Sequence, residues 1–468
     1  MRISVTWRVA LALGLFHLNH APVRAQEELG EKELARIGVD AYIYGYPLVT
    51  METTRRVMTN VAAPEGTHAP MGQFLRMRKY PDASFKDVTA PNADTLYSTA
   101  WLDLAKEPYV LNLPDLKDRF YLMPMLSGWT DVFEVPGRRT TGGKPQTYAI
   151  TGPNWRGQLP EGLAELKSPT NLVWILGRTY CDGTPEDYKA CHAIMDKYEM
   201  TPLSAYGSPY TPPAGKVDPK VDTKTPVRDQ VHKLDAIAYF TMLAELMKQN
   251  PPMQADAKVV AKMSKIGLVP GQDFDATKLP TAVAQQIPGL AQAAIMGHFA
   301  STGKNINGWT FTTKAGVYGT DYLQRALITA IGLGANRPQD AVYPTSQADS
   351  QGEPYSGANK YVMHFPKGET PPVKGFWSLT MYNGDYFFVD NPLDKYTVSP
   401  RNALKYNTDG SVDIYIQKES PGREKEANWL PAPDGKFILM MRLYWPEQTP
   451  PSIIDGSWEP PGVNKVPN

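Results

Sequence analysis

The chain has 468 residues, long enough for several domains, and is 42% apolar and 21% charged, a globular and not a disordered balance. Lysine plus arginine and aspartate plus glutamate stand at 48 each, so the formal net charge is zero; with no long basic run, this excludes a general nucleic-acid binder. The 43 prolines and 37 glycines are spread along the chain, as punctuation between short strands, which excludes collagen and low-complexity linkers.

The first residues read as a targeting segment. Arg2 and Arg8 give a positive start, Val9 to Phe16 an apolar core, and Val23-Arg24-Ala25 small residues at the cleavage positions, so the cut is expected after Ala25. An uncleaved anchor is the alternative. No lipobox cysteine is present, and no later apolar run is long enough to cross a bilayer. The expectation is an exported protein, periplasmic or secreted, with no membrane span after cleavage. In such a compartment Cys181 and Cys191, the two cysteines of the chain, are expected to form a disulfide. Two ordinary buried thiols are the competing reading. Between them Thr184 and Pro185 predict a helix start, as cap and first helical residue.

From Glu27 to Asn60 apolar residues recur at three and four, predicting a helix that Pro47 should kink or restart after Tyr46. Tyr42, Tyr44 and Tyr46 would surround that break, either aimed at a cleft or packed on the core. Ala90 to about Ile175 then reads as short strands with turns, the pattern of a β-sandwich. The clearest lie at 95–101, 109–113, 120–125, 131–135, 147–150 and 172–176. Helical stripes follow at 227–248, 256–266, 280–300 and 321–333, the last capped by Thr320 or Asp321. Residues 339–356 read as loop. Strands return at 361–365, 375–382, 412–416 and 437–444.

The motifs within this pattern resemble a known pairing. Tyr42-Ile43-Tyr44-Gly45-Tyr46-Pro47, Pro91-Asn92-Ala93-Asp94-Thr95-Leu96-Tyr97-Ser98 and Ser127-Gly128-Trp129-Thr130 carry the N-terminal likeness. Gly319 to Ala326, Phe376 to Tyr382, Asn428 to Pro433 and Arg442-Leu443-Tyr444 carry the C-terminal one. In this order they resemble the exported bacterial proteins that join two domains of unknown function, 1254 and 1214. The resemblance implies an α+β multi-domain build: an immunoglobulin-like β-sandwich, a helical middle domain and a C-terminal β jelly roll. It implies no mechanism. The boundaries read as signal peptide 1–25, helical segment 26–90, sandwich 91–219, helical domain 220–335 and jelly roll 336–468.

No G-x-S-x-G elbow, P-loop or G-x-G-x-x-G after a strand is present, and no close histidine pair. Neither a cofactor nor a metal is therefore expected. The remaining candidates are polar and aromatic. Asn92 and Asp94 lie two apart on a turn, where they either serve a ligand or bond the turn's own amides. Tyr322 and Arg325 share a helix face, with Tyr318 just before its start; Arg325 suits an anion clamp or an ion pair with Asp94. Arg442 and Tyr444 share a strand face, and Trp129 and Trp377 offer stacking surfaces or core packing.

These readings converge on an interdomain cleft that binds a small organic or saccharide-like ligand. A metal-independent hydrolase or lyase would use Asp94 as base, with Tyr97 or Tyr322 as proton donor. Asn92, Trp129, Tyr318, Arg325, Trp377, Arg442 and Tyr444 would bind. The rival is a non-catalytic envelope binding or assembly protein whose polar motifs lock domains together. Strand edges of two β-domains also suggest a homo-oligomer.

Overall fold

A computed structural model describes residues 30–86 and 89–467. The expected signal peptide lies outside these residues. The described chain is α+β: one helical core and two pairs of sheets.

The helical core is built around the long helix Glu31–Met58. Glu31 and Glu33 in its first turn and Arg55 and Arg56 in its last complement the helix dipole. The expected break at Pro47 does not occur, and the helix runs through it as one element. Pro47 is buried within it, and this helix packs closely on Leu243, Tyr239 and Ile287. The approach is close: a Cβ at Gly45 would lie 2.3 Å from Leu243 Cδ2, and one at Gly38 2.2 Å from Ile287 Cδ1. The predicted 227–248 helix is two, Val227–His232 and Ala236–Gln249, because the Asp235 side chain accepts from Ala238 N at 2.8 Å and starts a new helix. The helix Tyr322–Gly332 completes this core, capped by Asp321 as expected.

In the N-terminal sheet pair, Thr95–Asp103 and Leu172–Tyr180 run antiparallel in register from Thr95 opposite Tyr180 to Asp103 opposite Leu172. Their Leu96, Ala100, Val173 and Ile175 pack on Leu111 and Ile150 of the facing sheet. In the C-terminal pair, Val373–Asn383 lies beside Phe437–Pro446 in a seven-stranded sheet. Leu379, Met381, Leu439 and Met441 pack there on Met363 and Ile414. Four short strands joining that sheet escaped the sequence reading: Lys304–Ile306, Trp309–Phe311, Ala341–Val342 and Thr345–Ser346. The first two lie inside the expected helical domain, between its predicted helices, and the last two where loop was expected.

The back faces of the two large sheets meet. Trp101, Phe120, Trp174 and Leu176 from one side close on Ala341 and Tyr444 from the other. The loop 90–95 with Asn92 and Asp94, and Tyr97, Arg442 and Tyr444, lie along or beside this junction. Among the described residues, no helix is long and apolar enough to cross a membrane.

Candidate functional site

The loop 90–95 is a tie between the sheet pairs. Asn92 Oδ1 accepts from the backbone of Asp94 at 2.7 Å and of Thr95 at 3.3 Å, so it holds the turn, while its Nδ2 donates to the Tyr444 hydroxyl at 2.8 Å. Asp94 is fully buried. Its Oδ2 accepts from Ser378 Oγ at 2.6 Å, and its Oδ1 lies 2.8 Å from Arg401 Nη1. That contact is an ion pair off the hydrogen-bonding angle, since neither atom has an aligned partner. Arg401 also donates to Ala93 O and Thr397 Oγ1, Tyr382 to Pro91 O, and Arg442 to Ala90 O and Thr380 Oγ1. Asp94 is thus committed to a cation from the C-terminal half and is not a free base.

Outside this tie the two halves leave a groove of about 1070 Å³. Residues 78–84 and Asp182, Tyr188 and His192 form one wall, and 390–397 with Arg401 and Asn402 the other. The Tyr80 and Tyr188 rings meet edge to face at 5.5 Å. Asp182, Asp390 and Asp394 place exposed carboxylates along the walls. Lys395 Nζ donates to the carbonyls of Glu426 and Ala427 at 3.1 and 3.4 Å, and burial pushes its amine down to about 8, opposed by Glu426. Arg401 therefore serves two surfaces, one facing the groove and one against Asp94.

Arg325, Trp129 and Tyr322 come together elsewhere, in the helical core. The Arg325 guanidinium is fully buried, 5.3–5.4 Å from the ring centres of Tyr44, Trp129 and Tyr322. Its carboxylate partner is Asp131 at 3.5 Å, not Asp94. Tyr318 joins through its backbone N–H, which donates to Asp131 at 3.1 Å. Tyr44 and Tyr322 donate to the buried Asp256 at 3.0 and 2.9 Å. Burial holds the Asp131 carboxyl above its usual range, against the pull of Arg325. Tyr42, Tyr44 and Tyr46 are all core residues. Trp377 lies in the C-terminal core against Phe365, at 5.5 Å between ring centres, and does not line the groove.

The expected disulfide is not formed; Cys181 and Cys191 are free, buried thiols. The Cys191 thiol has other partners. Cys191 Sγ donates to Tyr180 O at 3.1 Å and accepts from Arg119 Nη1 at 3.1 Å, while the Tyr80 hydroxyl donates to the Cys181 carbonyl. The two sulfurs and the Asp187 carboxylate lie within 4.8 Å of one another, a spacing that suits metal ligands. Arg119, donating to both Asp187 oxygens at 2.5 and 3.0 Å, already neutralises that cluster. The predicted helix start holds: Pro185–Met195 begins at Thr184, whose side chain accepts from Asp187 N at 3.2 Å.

The tie at Asp94 joins two recognisable halves. Residues 71–202 match the family described as Protein of unknown function (DUF1254), and residues 340–448 that described as Protein of unknown function (DUF1214). The chain pairs a DUF1254 domain with a DUF1214 domain. The VPA0106 protein from Vibrio parahaemolyticus has a similar fold, with a TM-score of 0.71 at 24% identity over 93% of this chain and 100% of that one. A putative uncharacterized protein from Burkholderia cenocepacia aligns with a TM-score of 0.44 at 13% identity, over 93% of this chain and 94% of that one. No curated protein matches.

Asp94, Asn92 and Tyr97 thus belong to the DUF1254 match, and Arg401, Ser378, Arg442 and Tyr444 to the DUF1214 match. Arg325 belongs to neither. Sequence reasoning missed Arg401 and Arg178. Arg401 sits in the short turn Pro400–Asn402, which carries no periodic signal. Arg178 stands directly opposite Tyr97 in the strand pair, and its Nε donates to the Tyr97 hydroxyl at 3.3 Å. Reading the 172–176 strand four residues further would have found it.

Proposed function

We propose that the protein is an exported binding protein for a saccharide-like, polyhydroxylated ligand, held in the groove between the DUF1254 and DUF1214 domains. The observation that carries this is the groove itself: about 1070 Å³, walled by both halves, with tyrosine rings set among carboxylates. Ligand sites favour such interfaces, and sugars are bound by ring faces against CH groups with carboxylates and amides taking the hydroxyls. The same reading takes the N-terminal sheet pair as an immunoglobulin-like sandwich and the C-terminal pair as a jelly roll, which places the groove between rigid β-scaffolds.

One observation also favours the assembly reading, and the two combine. Asp94 is sealed and paired, so the acid/base role expected for it passes to a structural one. It holds the walls of the groove at a fixed distance.

Calorimetric titration of the mature protein with a panel of neutral and acidic oligosaccharides tests the proposal. Binding of at least one with a dissociation constant below about 100 μM is expected. Tyr188→Ala should weaken it at least tenfold, whereas Asp94→Asn should lower the melting temperature and change affinity little below it. If no saccharide in the panel binds more tightly than about 1 mM, the proposal is wrong.

A further inference from the structure

Behind the Asp94–Arg401 tie lies a second cluster, of buried guanidiniums, with a different chemistry. Arg178 is 5% exposed and Arg442 is 3% exposed, and neither forms an ion pair with a carboxylate among the described residues. Arg178 donates to the carbonyls of Leu176 and Gly334, to Asn336 Oδ1 and to the Tyr97 hydroxyl. Four donations leave one of the five guanidinium N–H groups over. Arg442 donates to Ala90 O, Pro91 O and Thr380 Oγ1. These partners are neutral and satisfy hydrogen bonds without balancing charge. Asp94 is the carboxylate whose field reaches Arg442, and Arg401 already pairs with it. The junction therefore sets three guanidiniums, Arg178 and Arg442 buried and Arg401 partly open to the groove, against one carboxylate, an arrangement that calls for a further negative charge.

Tyr97, Tyr180, Tyr343 and Phe376 lie between the two sheets yet keep part of their surface open. Tyr180, Phe376 and Tyr444 form an aromatic wall, with ring centres 4.6 and 4.5 Å apart, and Phe120 closes it edge-on at 5.5 Å. The polar end opposite carries Asn92, Arg178 and the hydroxyls of Tyr97, Tyr343 and Tyr444. Asn336 Nδ2 donates to Tyr343, and Asn92 Nδ2 to Tyr444. An apolar wall facing two unbalanced guanidiniums is complementary to an organic anion with a flat apolar body.

We propose that the part-open junction around these rings forms an inner chamber that binds an aromatic or similarly apolar monocarboxylate, its carboxylate on Arg178 and the Tyr97 hydroxyl and its body against Phe376 and Tyr444. The site is separate from the groove and does not depend on the saccharide reading. Tyr97 supplies an internal check. Burial raises its phenol, but Arg178, with Arg442, pulls it below the usual tyrosine range. As pH rises, the Tyr97 phenolate becomes the negative charge facing Arg178. A bound carboxylate and a phenolate repel, so binding should push Tyr97 back up.

The experiment is titration of the mature protein with sodium benzoate, against benzamide as the neutral isostere, with tyrosinate absorbance followed across pH. Expected are benzoate binding at least tenfold tighter than benzamide, a loss of affinity as pH rises and Tyr97 ionises, and removal of that pH dependence in Tyr97→Phe. Arg178→Gln should cost at least tenfold in benzoate affinity. Should it fail to fold, the comparison of wild type with Tyr97→Phe still decides. Equal affinity for benzoate and benzamide, an unchanged pH profile in Tyr97→Phe, or loss of the benzoate site in the groove variant Tyr188→Ala would each overturn the proposal.

Discussion

Asp94 of the DUF1254 half and Arg401 of the DUF1214 half stand 2.8 Å apart, 308 positions after Ala93 being the donor's place in the chain, with the carboxylate wholly enclosed and the arginine side chain 11% exposed. Removing one partner of such a pair leaves an uncompensated charge. Asp94→Asn should therefore destabilise the protein by about 3–5 kcal/mol. Denaturant unfolding monitored by tryptophan fluorescence measures this. A loss below about 1 kcal/mol would place the pair among screened surface ion pairs and remove it as the tie between halves.

Arg325 makes a separate prediction because its surroundings are aromatic. Three ring faces and one carboxylate at 3.5 Å replace the water it lost. Arg325→Met should cost about 3–5 kcal/mol, since Asp131 is then buried alone. Adding Asp131→Asn should recover part of that cost, and a double-mutant cycle should return a coupling of about 0.5–3 kcal/mol. Strict additivity would show that the rings and not Asp131 hold the guanidinium.

How far these contacts were legible varied with their locality. Thr184, Pro185 and Asp321 announced helix starts because a cap acts within three residues of itself. Pro47 did not restart the helix: its cost is local, while the packing of this helix on Leu243 and Ile287 comes from about two hundred residues away and is silent in the local pattern. The motif Asn92-Ala93-Asp94 was visibly special, but the cation expected for Asp94 was Arg325. Arg401, which takes that place, sits in a turn where any basic residue looks solvated. Arg178 lies just past the clearest stretch of its strand, beyond Gly177. The glycine is there for space, since a Cβ would lie 2.3 Å from Met123 Sδ and 2.8 Å from Ser98 O, and the strand continues through it to Tyr180. The cysteine expectation failed because compartment and count say nothing about Arg119, which gives Cys191 a partner of its own.

Export is tested at the N-terminus. If Val23-Arg24-Ala25 is a cleavage site, expression with its native leader in a Gram-negative host should give mature protein outside the cytoplasm, beginning at Gln26. N-terminal sequencing and fractionation check this. An intact Met1 in the cytoplasmic fraction would remove export from the proposal and leave the groove untouched.

Lys395 gives the groove a pH signature. Its amine stands at about 8 in the folded protein against an ordinary 10.5, chiefly through burial. Between these values the unfolded chain holds the proton more firmly, so folding releases it and stability rises with pH across that window. Below about 8 the folded protein carries the charged amine in its half-buried place and the full penalty applies. Lys395→Met removes the titration while keeping the stem. The difference in melting temperature, wild type minus variant, should therefore climb as pH goes from about 8 to 10.5 and level off on either side. Other lysines titrate in both proteins and cancel. A flat difference would mean that the amine reaches water and that the carbonyls of Glu426 and Ala427 do not hold it, and Lys395 would then be a mobile group at the groove's rim instead of part of its wall.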